Sequence, residues 1–422
     1  MNKPLEGSTP VILATRDKVY SETENTPLLI GVWVPPVMHL TSTQYEADAR
    51  YLEMLGTGIN MAFTHHDETD NYEQLVRALN AAEKNKIKLM IELPASNVKA
   101  SLEIVKKTKD YPAVLGYNMA DEPHASAFDS LRSRRDKIKE IVSEEKIIMC
   151  NMLPNYASDA MLGTDGDIDM DSYEMYLDQY MKIVRPDILS FDYYPFMENI
   201  STDKEKISLM LINLCVIRNI GSKYGVDTWG FVQNSSWAGT RIPNDDELRF
   251  VSNIHLIFGI SSYSYFLYCQ PFEQACAEGV FEGMLTYSGE RTDIYYRVQQ
   301  QNKDLNAMKG IYLNYKNKGF ILQNMSDENE KAIDESLRMI TYQQLKSIES
   351  EGAILTGCFE KDGKIGLYVL NFDYTKNTSA NLLLNGEYEY KVWGANGLEQ
   401  MTRGKSITLE FRPGEGRFVE IE

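Results

Sequence analysis

The chain has 422 residues, 43% of them hydrophobic and 25% charged, enough for a core of about 250 to 300 residues plus a smaller unit. No apolar run reaches the roughly 18 residues of a membrane-spanning helix, and 43 Lys+Arg against 61 Asp+Glu leave a net charge of -18, which disfavours nucleic acid as a partner. Five cysteines, Cys150, Cys215, Cys269, Cys276 and Cys358, form no Cys-x-x-Cys pair, so neither a disulfide framework nor a zinc site is expected.

Residues 1–26 are polar and contain no apolar stretch of the signal-peptide kind, so no signal peptide is expected and the compartment stays open. Pro27 to Pro36 predicts a buried strand closed by prolines. Thr41 to Gly56 carries Tyr45, Ala49, Leu52 and Leu55 at helical spacing, with a Ser or Thr cap ahead of it and Gly56 as a stop. The same unit recurs in the pairs Ile59–His66 and Tyr72–Lys86, Ile87–Pro94 and Ser101–Tyr111, Val114–Pro123 and Ala127–Ser143, and Lys146–Pro154 and Ser172–Val184. It continues through Asp187–Phe196 and Lys204–Tyr224, Asp227–Asn234 and Asp245–Phe258, and Ile260–Gln270 and Asp293–Met308. Eight strands alternating with eight helices predict an α/β fold, a (β/α)8 TIM barrel over residues 27–314, and no Gly-x-Gly-x-x-Gly follows the first strand to support a dinucleotide-binding sheet.

From about Tyr315 short alternating strands replace the helical period, and residues 315–422 read as a small antiparallel β-sandwich. Lys361-Asp362-Gly363-Lys364 and Asn385-Gly386 are read as hairpin turns there, and one helical piece is expected between Met325 and Ser350.

Leu115-Gly116-Tyr117-Asn118-Met119-Ala120-Asp121-Glu122-Pro123 carries the chemistry. Alternation puts Gly116, Asn118, Ala120 and Glu122 on one face and Leu115, Tyr117 and Met119 on the other. Small and polar residues leading to an acid suit the inside of a barrel, with Glu122 at the carboxyl-end mouth where such barrels do chemistry. A carboxylic acid partly enclosed beside Asp121 suits a general acid. On strand six Ser190, Asp192 and Tyr194 share a face, so Asp192 points into the mouth, either as a base or as an acceptor for substrate hydroxyls.

The other strand tips add Trp33, His66, Glu92, Asn151, Gln233 and Tyr268 as candidate binding residues. Trp33, Trp237, Tyr194 and Tyr268 offer flat apolar faces with polar edges to a sugar ring, or ordinary core packing. His65 and His66 are adjacent on a strand and face opposite ways, and the run Asp165 to Asp171 lacks the glycine and final glutamate of a calcium loop, so no metal and no cofactor are expected.

These residues resemble the clan A (β/α)8 glycoside hydrolases, whose acid/base glutamate ends strand four, commonly before a proline; here that place reads Asp121-Glu122-Pro123. The resemblance implies Glu122 as acid/base, Asp192-Tyr193-Tyr194-Pro195 as the supporting strand-six segment, a C-terminal β-sandwich accessory domain and, as is common for such enzymes, export from the cytoplasm. It also implies a nucleophilic glutamate at the end of strand seven, where this chain carries Gln233, and a carboxamide cannot form a glycosyl-enzyme ester.

Three readings follow. The first is a glycosidase acting on an oligo- or polysaccharide, with Glu122 as acid and Asp192, or after it Glu92 or Glu273, as second carboxylate. A separation of about 5 to 5.5 Å would imply retention and about 6.5 to 9.5 Å inversion. The second is a barrel that binds carbohydrate without cleaving it, having lost its nucleophile. The third is another hydrolase or lyase chemistry on the same fold.

Overall fold

The structure is a computed structural model that describes residues 28–65, 71–166, 170–276 and 279–422. Eight parallel strands come first: β1 (Leu29–Val32), β2 (Met61–Phe63), β3 (Lys88–Glu92), β4 (Val114–Asp121), β5 (Ile147–Met152), β6 (Ile188–Asp192), β7 (Asp227–Gln233) and β8 (Ser262–Phe266). The helix after each lies outside the ring: α1 (Gln44–Leu55), α2 (Tyr72–Lys84), α3 (Val98–Thr108), α4 (Phe128–Lys139), α5 (Ser172–Ile183), α6 (Asp203–Tyr224), α7 (Asp245–Ile257) and α8 (Asp293–Ala307). This is the expected (β/α)8 barrel.

The strands run in the order β1-β8-β7-β6-β5-β4-β3-β2, and the seam between β1 and β2 is closed largely by one side chain. Ile30 N donates to Asn60 Oδ1 over 2.8 Å, Asn60 Nδ2 donates to the Leu28 carbonyl over 2.9 Å, and Asn60 N donates to the Ile30 carbonyl over 3.0 Å. A carboxamide can mimic a peptide group in this way, completing the ladder where neighbouring strands do not pair regularly.

Helix starts are written locally. Thr43 accepts from Glu46 N while the Glu46 carboxylate accepts from Thr43 N, and Asn244 and Glu247 do the same for α7, so orphan amides at both N-termini are satisfied. Gly225, at φ 64°, closes α6 in the left-handed region that a residue without Cβ enters freely.

The barrel strands are buried on both faces, as parallel strands between helices are. Ile30, Leu89, Ile91, Ile148, Leu189 and Val232 pack outward against the helices. Leu29, Met61, Phe63, Met90, Ile147, Met149, Ile188, Trp229 and Phe231 fill the interior, so the ring is plugged and only its upper rim is open to a ligand. Each fully buried side chain of this size contributes about 1.5 to 3 kcal/mol of transfer free energy.

The C-terminal strands β9 (Lys316–Gln323), β10 (Arg338–Met339), β11 (Leu345–Ser350), β12 (Ile354–Lys361), β13 (Lys364–Asn371), β14 (Thr378–Gly394), β15 (Gly397–Phe411) and β16 (Gly416–Ile421) form one curled mixed sheet, with β10 parallel to β9. One face closes over Ile354, Leu367, Val369, Leu382, Val392 and Ile407. Phe320, Phe359, Tyr368, Leu370 and Phe418 join the core of the barrel instead, and the Tyr368 hydroxyl donates to Asn253 Oδ1 on α7 over 2.8 Å.

Asp362 and Gly363 make the tight turn expected between β12 and β13, both at positive φ. Asn385-Gly386, read above as a hairpin, is not one. The chain runs through it as β14 with a register shift between Leu383 and Tyr388, and Asn385 instead pairs sideways with the carbonyls of Gln343 and Gln344.

Candidate active site

Above the plug, the strands divide the mouth into two walls. Strands β3 to β6 present polar groups: Glu92, Asn118, Asp121, Asn151, Ser190 and Asp192. The opposite wall is aromatic, with Trp33 stacked on Phe63 at 5.0 Å, and Phe231 meeting both.

The polar wall depends on two irregularities in β4. Its register against β3 shifts at Leu89/Met90, and against β5 between Asn118 and Asp121. Simple alternation therefore holds only in the middle: Tyr117 points outward, its hydroxyl 3.0 Å from Thr108 Oγ1 on α3, and Asn118 points inward. Leu115, expected outside, packs against the interior plug. Gly116 sits so close to β5 that a Cβ there would overlap the Ile147 carbonyl.

Glu122 reaches the mouth by a turn and not by continuing the strand. Its φ is 46°, the left-handed region, which costs a non-glycine residue roughly 1 to 2 kcal/mol. The turn is held from both sides: Glu122 N donates to the Asn151 carbonyl over 2.8 Å, and the Tyr176 hydroxyl on α5 donates to the Pro123 carbonyl over 2.7 Å. Strain kept in place by two hydrogen bonds points to a side chain whose direction matters.

The direction is toward Asp192. Asp192 is 4% exposed, on the inward face of β6 as expected, and the Glu122 carboxyl lies within hydrogen-bonding reach of it. Burial raises the Asp192 carboxyl well above the usual carboxylate range, and the charges of Glu122 and Asp121 push it further the same way. Asn151 opposes them. Its Nδ2 donates to Asp192 Oδ1 over 3.0 Å and to Asp121 Oδ1 over 3.3 Å, while its Oδ1 accepts from Ser190 Oγ over 3.0 Å, which fixes the amide's orientation. Two carboxyls in such contact cannot both ionise cheaply, so the pair holds a proton at pH values where an isolated carboxyl has lost it.

A second buried carboxyl sits beside the pair. Glu92 is 3% exposed, accepts from Asn118 Nδ2 over 2.7 Å, and is raised by its own burial and by the Asp121 charge, against an opposing pull from Arg134. Arg134 is itself spent on the carbonyls of Met119 and Pro94.

Gln233 lies at the tip of β7, fully buried, and its amide is consumed by backbone. Oε1 accepts from Phe196 N over 2.9 Å, and Nε2 donates to the carbonyls of Phe196 and Arg241 over 2.8 and 2.9 Å. It clasps the loop after β6 to the loop after β7, and is not a binding group in the mouth. Tyr268 is likewise not a wall of the cavity: it is 0% exposed and packs behind the barrel near Tyr295 and Glu53, because the chain after Phe266 leaves the interior face. Trp237 is partly exposed and meets Tyr194 at 4.8 Å and Phe266 at 4.9 Å, both edge-on, so these three rings do form a patch at the rim. Glu273 is exposed on the loop after β8, and His66 lies outside the described residues. Among the described residues no group of three His, Cys, Asp or Glu could hold a metal ion.

Two residues that the sequence did not single out border the carboxyl pair. Tyr156, on the exposed loop after β5, lies within range of the charges of Asp192 and Glu122, and its ring meets Tyr193 edge-on at 5.2 Å. Tyr176 positions Glu122 through Pro123. Neither stands at a strand tip, where the sequence signal lay.

No family model and no curated protein matches the chain. Solved structures do. A β-galactosidase from Rahnella sp. R3 superposes with a TM-score of 0.59 at 9% identity, over 95% of this chain and 99% of that one. A family 39 glycoside hydrolase from Bacteroides cellulosilyticus WH2 does so with a TM-score of 0.53 at 12% identity, over 94% of this chain and 81% of that one. At such identities the likeness is one of fold.

Proposed function

We propose that the chain is a glycoside hydrolase acting on an oligo- or polysaccharide, with Glu122 as general acid/base and Asp192 as its partner carboxyl. The observation that carries this is the contact between the two carboxyls at the mouth of a barrel, one buried and one open to solvent. Burial of Asp192 and repulsion between the two carboxyls hold a proton on the pair above the usual carboxylate range, and Glu122, the solvent-facing member, can hand it to a leaving oxygen. The aromatic rings of Trp33, Tyr194 and Trp237 support a sugar ring, whose axial C–H faces pack on such surfaces. That glycoside hydrolases share this fold agrees with the reading.

A second reading, a barrel that binds glycans without cleaving them, is favoured by Gln233, whose amide occupies the place where clan A enzymes keep a nucleophile. A hydrolysis screen over a broad panel of oligosaccharides and polysaccharides, run with the parent and Glu122→Gln proteins, separates the two. Release of sugar by the parent alone supports the enzyme. Calorimetric binding of a glycan with no release by either protein supports the second reading.

A further inference from the structure

We propose that the nucleophile is the substrate's own 2-acetamido oxygen, so that the sugar cleaved is a 2-acetamido-2-deoxy glycoside; this rests on the glycosidase reading above. Three observations carry it.

The first is the spacing of the acids. Glu122 and Asp192 are within hydrogen-bonding reach, closer than the about 5 to 5.5 Å that accommodates a covalent sugar intermediate or the about 6.5 to 9.5 Å that accommodates an attacking water. Carboxyls that touch lie on one side of the scissile bond and cannot flank it. They can serve two neighbouring substrate atoms, and the glycosidic oxygen on C1 and the amide nitrogen on C2 are such a pair.

The second is the opposite wall. Gln233 has no free acceptor or donor there, and the inward rings are Trp33, Phe231 and Phe266. Glu282 approaches the tip of β7, but its Oε2 is bound to Ser236 Oγ at 2.8 Å, and Ser236 pairs with Glu282 across a β-bridge. The neighbours of this pair, Trp237 and Phe281, both contact the Phe266 ring. An apolar wall suits an acetamido methyl group, and its described residues named above offer the carbon no unengaged carboxylate.

The third is Asn151, whose Nδ2 donates to Asp192 Oδ1 over 3.0 Å and so pulls against the burial and repulsion that hold a proton there. An amide N–H needs an anionic acceptor of this kind to sharpen the nucleophilicity of its carbonyl oxygen.

The step balances without a cofactor. Glu122 gives its proton to the leaving oxygen as the C1–O bond breaks, and the acetamido oxygen bonds to C1 to form a cyclic oxazolinium whose N–H is held by Asp192. Water then adds to C1, its proton goes to Glu122, and the C1–O bond of the ring breaks to restore the acetamide. The net change is hydrolysis with retained configuration.

The test pairs aryl glycosides of one configuration that differ only at C2, acetamido against hydroxyl, in gluco and galacto series and both anomers. The acetamido member is expected to be cleaved with a kcat/KM at least about a hundredfold higher, falling stepwise through mono-, di- and trifluoroacetamido analogues, with retention seen by proton NMR. Equal cleavage of the hydroxyl member overturns the inference and leaves the glycosidase reading standing. So does a glycosyl adduct seen by intact mass after treatment with 2-deoxy-2-fluoro glycosides, a trap that reads every carboxylate of the chain, Asp67 and Glu68 outside the described residues included. Cleavage of no pair, while other glycans are also untouched, overturns both.

Discussion

Asn151 Nδ2 donates to Asp192 Oδ1 over 3.0 Å and, over 3.3 Å, to Asp121 Oδ1, so one carboxamide bridges two carboxyls of the mouth. Its donation favours the ionised form of Asp192, against the burial and the charges of Glu122 and Asp121 that raise that carboxyl.

Removing that amide should therefore move the pH profile. In Asn151→Leu the donor is gone, while burial and the neighbouring charges of Glu122 and Asp121 still raise Asp192. The acidic limb of kcat/KM, which reports protonation of the carboxyl that must be ionised, is expected to shift to higher pH, with activity at pH 6 reduced at least tenfold, in keeping with about 1.5 to 3 kcal/mol for a hydrogen bond to a charged group. A fall in rate with an unmoved limb would assign Asn151 to folding alone.

Glu122→Gly should make the protein more stable and inactive together. Glycine adopts φ 46° without the Cβ clash, and the substitution also removes a carboxyl from beside Asp192, so a gain of about 1 kcal/mol is expected in urea unfolding. A loss of stability would mean that the Glu122 side chain supports the fold.

Gln233→Glu, which puts a carboxylate at the tip of β7, should add no activity and cost about 2 to 4 kcal/mol. The new acceptor would face the carbonyls of Phe196 and Arg241, which now receive N–H groups. Differential scanning calorimetry beside the glycan screen checks both halves.

Glu92→Gln should raise stability at pH 8 and do little near pH 4. Glu92 binds its proton more tightly in the folded chain than in the unfolded one, so between the two pKa values the folded state holds more protons and stability falls as pH rises. The amide removes that penalty and can still accept from Asn118. Parallel melting curves of parent and variant at both pH values test the sign.

The barrel was legible because its signal is repetitive: period-two runs ending at prolines and polar tips, then helical spacing with caps such as Thr43, come eight times in the sequence. Asp192 could be placed because β6 is a regular strand. The rest turned on single contacts between distant segments. Gln233 looked like a vacant nucleophile position because its partners, Phe196 and Arg241, lie on loops with no periodic signal. Asn385-Gly386 has hairpin composition, yet the loop at Gln343 and Gln344 takes up Asn385 and the strand passes through. Tyr268 has the chemistry of a sugar platform and the burial of a core residue.

The most direct test of the central claim, that Glu122 protonates the leaving oxygen, is a Brønsted series of aryl glycosides with the parent and Glu122→Ala proteins. The expected result is a steep dependence of rate on leaving-group pKa in the variant and a shallow one in the parent, with near-parent rates on the best leaving group, which needs no proton. Equal slopes in both proteins would contradict the claim and remove Glu122 from the chemistry.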